Sequence, residues 1–381
     1  MKRDYLSYCQ PSIGKEEIKE VVDTLKSGWL TMGPKSIRLE KMIAQYTGAK
    51  YAVLLNSCTA ALHLSLIALG IGKGDEVITT PFTFASTGNV IVQVGARPVF
   101  ADVDRKTFNI DPKEIEKAIT LKTKAIMPVH YAGQACDMAA IMKIAKKYRL
   151  FVIEDAAHAI GAEYKGKKIG TFGDVTCFSF YATKNMTTGE GGAVTTNNRA
   201  LAEKIRILRL HGISKDAWKR YAQKGSWYYE IEECGWKYNI TDIQAALGIH
   251  QIKKLDKFNE IRRKYAQIYN KELSGIKGLI TPYEKPTVKH VYYLYPILLE
   301  NYNRDKFIEK MAREGIGCSV HFIPLHLHPF YKRKFGHKKG DFPNAEWVYE
   351  REVSLPLYPK MSEKEVYRVI NIIKEIIKEN D

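Results

Sequence analysis

The stretch Leu150-Phe-Val-Ile-Glu-Asp-Ala-Ala-His158 decides how this chain folds. A short unbroken apolar run bounded by polar residues reads as a strand buried on both faces. The run ends on carboxylates, and an unpaired carboxylate at the end of a buried strand is costly. Asp155 therefore calls for a cationic partner. A second apolar run over residues 175–181 delivers Lys184, and Gly189-Glu-Gly-Gly192 follows it. A strand-end acid, a lysine and a glycine-rich turn are together the parts that hold pyridoxal 5′-phosphate. The lysine amine can form a Schiff base with the aldehyde, and the acid can keep the pyridine nitrogen protonated so that the ring draws electrons.

Working outward, strand and helix patterns alternate from residue 50 to 195. Apolar strands are expected at 51–55, 75–80, 97–103, 124–130 and 150–155, with helices at 59–69, 84–94, 111–119 and 137–149 between them. That alternation means βαβ units and a mostly parallel, two-side-covered central sheet, whose ligands bind at the carboxyl ends of the strands. Asn56-Ser-Cys-Thr-Ala-Ala-Leu62 joins one such end to a helix start, where free N–H groups and small hydroxyls suit an anion. Phe84 stands at the next strand-to-helix turn, where it either stacks on a cofactor ring or fills the core. His158 either stacks on the ring or orients Asp155, if it is not simply structural. After residue 240 the texture changes. Thr241 and Asp242 read as a helix start, with a helix to residue 273, then a strand at 291–299, a helix at 305–313, a short strand at 318–322 and a helix at 362–378. The expected division is a large α/β domain over residues 1–250, N-terminal segment included, and a smaller α+β domain over 251–381.

The 381 residues, 45% of them hydrophobic, suffice for a large core. The six cysteines are scattered without a CxxC pair, so neither a metal site nor a disulfide framework is indicated, and reduced thiols in a cytoplasmic protein are the plain reading. The N-terminal residues lack a signal-peptide pattern, and no window approaches the ~20 apolar residues of a membrane span. A net charge of +17 raises the question of nucleic acid. The Lys and Arg are interleaved with Glu along helical faces, as at 253–263, which argues for a solvated surface and against a nucleic-acid partner.

Several motifs, in order, resemble the DegT–StrS family of pyridoxal-phosphate sugar aminotransferases, which have the aspartate aminotransferase type I fold. They are Ser27-Gly-Trp-Leu-Thr-Met-Gly-Pro34, Asn56-Ser-Cys-Thr-Ala-Ala-Leu62, Glu154-Asp-Ala-Ala-His158, Phe178-Ser-Phe-Tyr-Ala-Thr-Lys-Asn185, Thr188-Gly-Glu-Gly-Gly192, Tyr238-Asn-Ile-Thr-Asp242, and Val320-His-Phe322 with Pro324-Leu-His326. The resemblance implies that Lys184 is the Schiff-base lysine and Asp155 the partner of the ring nitrogen. It implies phosphate contacts from Thr59, Ala60 and Ser179, and an aromatic on the ring at Phe84. It also implies that Asn239 reaches the phosphate of a neighbouring subunit, hence a homodimer with shared sites. Trp29, Thr31, His321 and His326 are the implied substrate contacts. L-Glutamate and a nucleotide-diphosphate keto-sugar are the implied partners. Within the family, Val129-His-Tyr-Ala-Gly133 and His211-Gly-Ile213 are most similar to enzymes that aminate C4 of a UDP-sugar, such as the UDP-4-amino-4-deoxy-L-arabinose aminotransferase. A C3 aminotransferase on a dTDP- or UDP-3-keto sugar is the alternative, and a catalytically silent regulator is a third. Substrate choice is expected in the loops at 215–233 and 281–290.

Overall fold

The structure, a computed structural model, describes residues 5–213 and 228–379. Most of the loop at 215–233 therefore lies outside the described residues. The helices are α1 Lys15–Ser27, α2 Pro34–Thr47, α3 Cys58–Ala68, α4 Ala85–Gln93, α5 Pro112–Lys117, α6 Met138–Tyr148, α7 Arg199–Leu208, α8 Asp242–Leu273, α9 Arg304–Arg313, α10 Pro329–Phe335, α11 Pro343–Arg351 and α12 Glu363–Lys378. The strands are β1 Tyr51–Leu55, β2 Glu76–Thr79, β3 Arg97–Phe100, β4 Thr123–Met127, β5 Phe151–Asp155, β6 Glu163–Tyr164, β7 Lys167–Lys168, β8 Val175–Ser179, β9 Gly192–Thr196, β10 Leu279–Ile280, β11 Val288–Lys289, β12 Tyr295–Leu299 and β13 Glu352–Leu355.

Seven strands form the central sheet in the order β1-β9-β8-β5-β4-β2-β3. Only β9 runs antiparallel to its neighbours; the remaining pairings are parallel. Successive residues of each strand face opposite layers, as period-2 geometry requires. Ala52, Leu54, Ile78 and Val152 pack with α2, α6 and the first half of α8, whereas Val53, Leu55, Val77 and Ile153 pack with α3, α4 and α7. Covering both faces leaves the strand ends as the place for a ligand, and β1, β2, β4, β5 and β8 all end on the same side.

α8 runs unbroken for 32 residues, about 48 Å at helical rise. Thr241 caps it in a reciprocal box with Gln244. Asp242 turns away from that cap and accepts the N–H groups of Gly33, Lys35 and Ser36, which locks the start of α2 onto the start of α8. Residue 250 falls inside this helix. Ala245, Ile249 and Leu255 belong to the central core, while Tyr265, Tyr269 and Leu273 join β12, β13, α9 and α12 in a second core. Leu6, from the N-terminal segment, packs into the second core and bridges Ile316.

Two expected strands differ. The strand expected at 291–299 is regular only from Tyr295, because Val291 and Leu294 donate their N–H groups to Gly133 and Ala132 instead of to a strand, and Tyr292 has a left-handed φ of 43°. No strand forms at 318–322. Ser319 pairs with Ser354, but the next ladder donor, the N–H of His321, is taken by the carboxylate of Glu352 at 2.7 Å. No described helix is long and apolar enough to cross a membrane.

Candidate active site

A cavity of about 530 Å³ opens at the strand ends, faced by Tyr8, Tyr293, His321 and Phe322. Asp155, the last residue of β5, is 3% exposed on its floor. Thr87 of α4 donates its hydroxyl to Asp155 Oδ2 at 2.8 Å, and the N–H of Ala157 donates to Oδ1 at 3.2 Å. Burial pushes the Asp155 carboxyl up, while Thr87, the Ala157 N–H and the charges of Lys184 and His130 pull the other way. A buried acid short of positive charge is the arrangement that a pyridinium N–H completes.

Lys184 follows β8 on a turn closed by its N–H to the Tyr181 carbonyl. Its Nζ lies 4.2 Å from the centroid of the Tyr293 ring, and it makes no ion pair among the described residues. The amine is thus left available in the cavity. His158 stacks on Phe322 with centroids 5.9 Å apart and lies 4.4 Å from Tyr293. Its Nδ1 accepts the N–H of Ala132 at 3.3 Å, so the ring proton sits on Nε2. Burial holds its basicity well below the ordinary imidazole range, with Lys184 and His321 adding to the effect, and the ring is neutral. Of the two roles expected for His158, orienting Asp155 is not seen: no hydrogen bond joins them.

The anion cradle is the start of α3. Ser57 caps this helix by accepting the N–H of Ala60 at 3.1 Å. Ala60 was expected to serve a phosphate, but that donor is already engaged by the cap. The N–H groups of Cys58 and Thr59 have no described partner, and Thr59 is exposed to the cavity. Gly192 allows β9 to pass beside this turn, because a Cβ there would stand 2.5 Å from the Cys58 nitrogen. Ser179 ends β8; its Oγ accepts the Tyr181 N–H at 3.4 Å and keeps its own proton to donate. Phe84 lines the mouth with 61% of its surface exposed, so a ring face is available for stacking.

The remaining expected residues divide. His321 lines the cavity. His326 does not: it is fully buried in the turn before α10 and bonds Glu346 at 2.8 Å, a structural pair. Trp29 and Thr31 also lie off this cavity, at the joint of α2 and α8, where the indole of Trp29 donates to the Met32 carbonyl and packs over Gly33. Asn239 does not line its own chain's cavity. Its Nδ2 bonds the Ile240 carbonyl at 3.1 Å and its buried Oδ1 has no partner among the described residues. Sequence reasoning missed Thr87, Tyr8 and Tyr293. Thr83 and Thr87 sit one helical turn apart after β2 and bond each other at 2.8 Å, a spacing that was readable; the two tyrosines carry no local signal.

An acid under the cavity floor, an unpaired amine beside it and a helix start able to take a phosphate define the site of a pyridoxal-phosphate enzyme. Comparison with known proteins agrees. The chain matches the DegT/DnrJ/EryC1/StrS aminotransferase family over residues 11–374 and belongs to it. It is 63% identical over 384 residues to an uncharacterized protein of Methanocaldococcus jannaschii, covering 100% of both chains. It is 52% identical to the spore coat polysaccharide biosynthesis protein SpsC of Bacillus subtilis, covering 100% of this chain and 99% of that one. Among solved structures, the PLP form of Spr1654 of Streptococcus pneumoniae, described as a sugar aminotransferase, superposes at TM-score 0.92 with 36% identity over 98% of this chain and 99% of that one. PseC of Helicobacter pylori, an aminotransferase involved in the biosynthesis of pseudoaminic acid, does so at TM-score 0.92 with 32% identity over 99% of this chain and 100% of that one. The chain is an aminotransferase of this family and its cofactor is pyridoxal 5′-phosphate.

Proposed function

We propose that this enzyme moves an amino group from L-glutamate to C4 of a UDP-linked 4-keto sugar, in the synthesis of a surface polysaccharide or glycan, as a cytoplasmic homodimer. The observation that carries the reading is the unpaired amine of Lys184 in one cavity with the buried acid of Asp155. The names of SpsC, Spr1654 and PseC support a sugar as acceptor. The motifs at 129–133 and 211–213 support C4 and UDP.

The cofactor supplies an aldehyde for an amine and a ring that takes up electron density. The residues do the rest. Asp155 would hold the ring nitrogen's proton. The helix start at Cys58 and Thr59, with Ser179, would hold the phosphate. The Nζ of Lys184 would take the donor's α-proton and give it back, the same amine serving both halves of the exchange. The neutral ring of His158 walls the site without adding charge.

Turnover with a panel of nucleotide keto-sugars plus glutamate tests the reading, with the position of the new amine read by NMR. An amine at C4 of a UDP-sugar supports it; an amine at C3, or turnover only with dTDP-sugars, replaces it. For the shared site, Lys184→Ala and Asn239→Asp chains are mixed, each inactive alone. Mixed dimers carry one intact site, so activity returns on subunit exchange; exchange seen by mass spectrometry with no activity would refute the sharing of Asn239.

A further inference from the structure

Behind the His321 ring lies a buried hydrogen-bonded chain that the transamination chemistry does not use. Ser354 Oγ lies 2.9 Å from His321 Nδ1, and Ser354 in turn bonds Glu352 Oε1. Both Glu352 and Ser354 have no exposed surface. The peptide that carries the ring is clamped at both ends. Its N–H donates to Glu352 Oε2 at 2.7 Å, and its carbonyl accepts the hydroxyl of Tyr131 at 2.6 Å. The ring therefore has one orientation: Nδ1 faces the serine, and Nε2 is left for the cavity that His321 lines.

We propose that Glu352 and Ser354 form a relay that sets which nitrogen of His321 carries the proton, and so whether the ring offers a cavity ligand a donor or an acceptor. A serine hydroxyl has one proton to give, so the chain has two consistent states. With Glu352 ionised, Ser354 donates to the carboxylate and accepts from Nδ1–H, and Nε2 is a bare acceptor. With Glu352 protonated, its O–H donates to Ser354, Ser354 donates to Nδ1, and the ring proton is on Nε2. In passing from the first state to the second, one proton enters at Nε2. The Nδ1 proton passes to Ser354, and the serine proton passes to Glu352. One proton is taken up and no bond between heavy atoms changes.

The surroundings let this carboxyl titrate while the ring stays neutral. Burial pushes Glu352 up to about 8, against the opposing pull of Ser354, the His321 N–H and Arg304. Among the described residues no cation touches Glu352, since Arg304 is engaged by Asp305 and the Tyr349 carbonyl. The other titratable neighbours, Tyr8, Tyr131 and Cys318, are all held protonated by burial. Burial, with the charge of Lys184, brings the His321 ring down to about 3. The facing ring of His158 is neutral as well. Near neutral pH the relay thus presents Nε2–H, a donor fit for a carbonyl or hydroxyl oxygen. That the oxygen belongs to a sugar rests on the function proposed above.

The tautomer is read directly from the ring ¹⁵N shifts of the whole protein labelled at histidine, with the His321 signals identified by their loss in His321→Gln. In the wild type the ring is expected to pass from Nε2–H to Nδ1–H between about pH 7 and about pH 9. Glu352→Gln is the sharper probe. Its amide oxygen keeps the His321 N–H and its NH₂ donates to Ser354, so Nε2–H is expected at every pH. Ser354→Ala should uncouple the ring from pH. A wild-type tautomer that does not change with pH, or a Glu352→Gln protein that changes as the wild type does, overturns the relay. In turnover, KM for the keto-sugar is expected to rise about 3- to 10-fold over the same pH range in the wild type and stay flat in Glu352→Gln, the effect of one hydrogen bond. The spectra with no such KM change would uphold the relay and count against a sugar oxygen at His321.

Discussion

The cavity has two walls of different origin. One is made of strand ends and the turns that follow them: Thr59 after β1, Thr83 after β2, Asp155 on β5, Ser179 on β8 and Lys184 just beyond. The other comes from Tyr8, Tyr293, His321 and Phe322, none of which sits in a helix or a strand. The first wall is anchored by sheet register and helix caps, so each side chain is placed by backbone that would exist without the site. The second is placed by side-chain bonds across the fold: Tyr293 to Thr183 at 3.1 Å, Tyr131 to the His321 carbonyl, and Glu352 to the His321 N–H. Covalent chemistry needs fixed atoms and falls to the rigid wall. We propose that substrate discrimination falls to the wall held by side-chain bonds.

If that division holds, the largest loss must come from the first wall. Lys184→Ala should lower turnover by about 10⁴-fold, since both attachment and proton transfer use one amine. The fold should persist by circular dichroism. Turnover above about one percent of wild type would remove Lys184 from the reaction, because a proton-transfer group alone is worth about 10²-fold.

The second wall should declare itself in stability. Glu352 is pushed up to about 8 when folded, against about 4.3 in an unfolded chain. The folded protein therefore keeps a proton that the unfolded one releases. The stability that this group contributes is full below about pH 4 and is lost as pH rises through about 8, on the order of 5 kcal/mol in all. Denaturant titrations of Glu352→Gln should lack that part of the slope; a slope unchanged from wild type would mean that the carboxyl is ionised in the fold.

Asp155→Ala returns to the first wall with a smaller effect. Cofactor should bind more weakly, and both half-reactions should slow by about 10²-fold, because charge that the ring takes up is no longer balanced. Wild-type half-reaction rates by stopped flow would assign the ring nitrogen another partner.

The two walls also differ in how much of each can be read from the chain. The alternating apolar runs fix the sheet, and Asp155 and Lys184 stand just where those runs stop, whereas Ser179 enters only through the family resemblance. The Ala60 N–H, expected on a phosphate, serves the Ser57 cap. His326 shows the limit on the other side. It stands five residues after His321 in one motif, yet the intervening turn carries it into the interior against Glu346. The strand expected at 318–322 fails for the same kind of reason, since Glu352, remote in sequence, takes the N–H that a ladder would need. Trp29 and Thr31 answer to the α2–α8 joint. No period or cap in a single chain encodes such encounters.

Thr87 is the finest probe of the comparison, because it supports the rigid wall without touching the reacting atoms. Its hydroxyl is one of two donors to the Asp155 carboxylate, and it is itself held by Thr83. Thr87→Val keeps the shape of the side chain and removes the donor. The ionised form of Asp155 loses a hydrogen bond that burial alone cannot replace, so the carboxyl, already pushed up, should rise further. A cofactor cation then meets an acid that holds its proton more tightly. Cofactor affinity should fall about 3- to 10-fold, the worth of one such bond, and by less than in Asp155→Ala. Titration of the apoprotein with pyridoxal phosphate measures this directly. The loss should shrink as pH rises and the acid ionises unaided. A loss equal to that of Asp155→Ala would mean that Thr87 sets the position of the acid as well as its charge. No loss at any pH would mean that the Ala157 N–H alone suffices, and the strand-end wall would then need less support from α4 than its geometry implies.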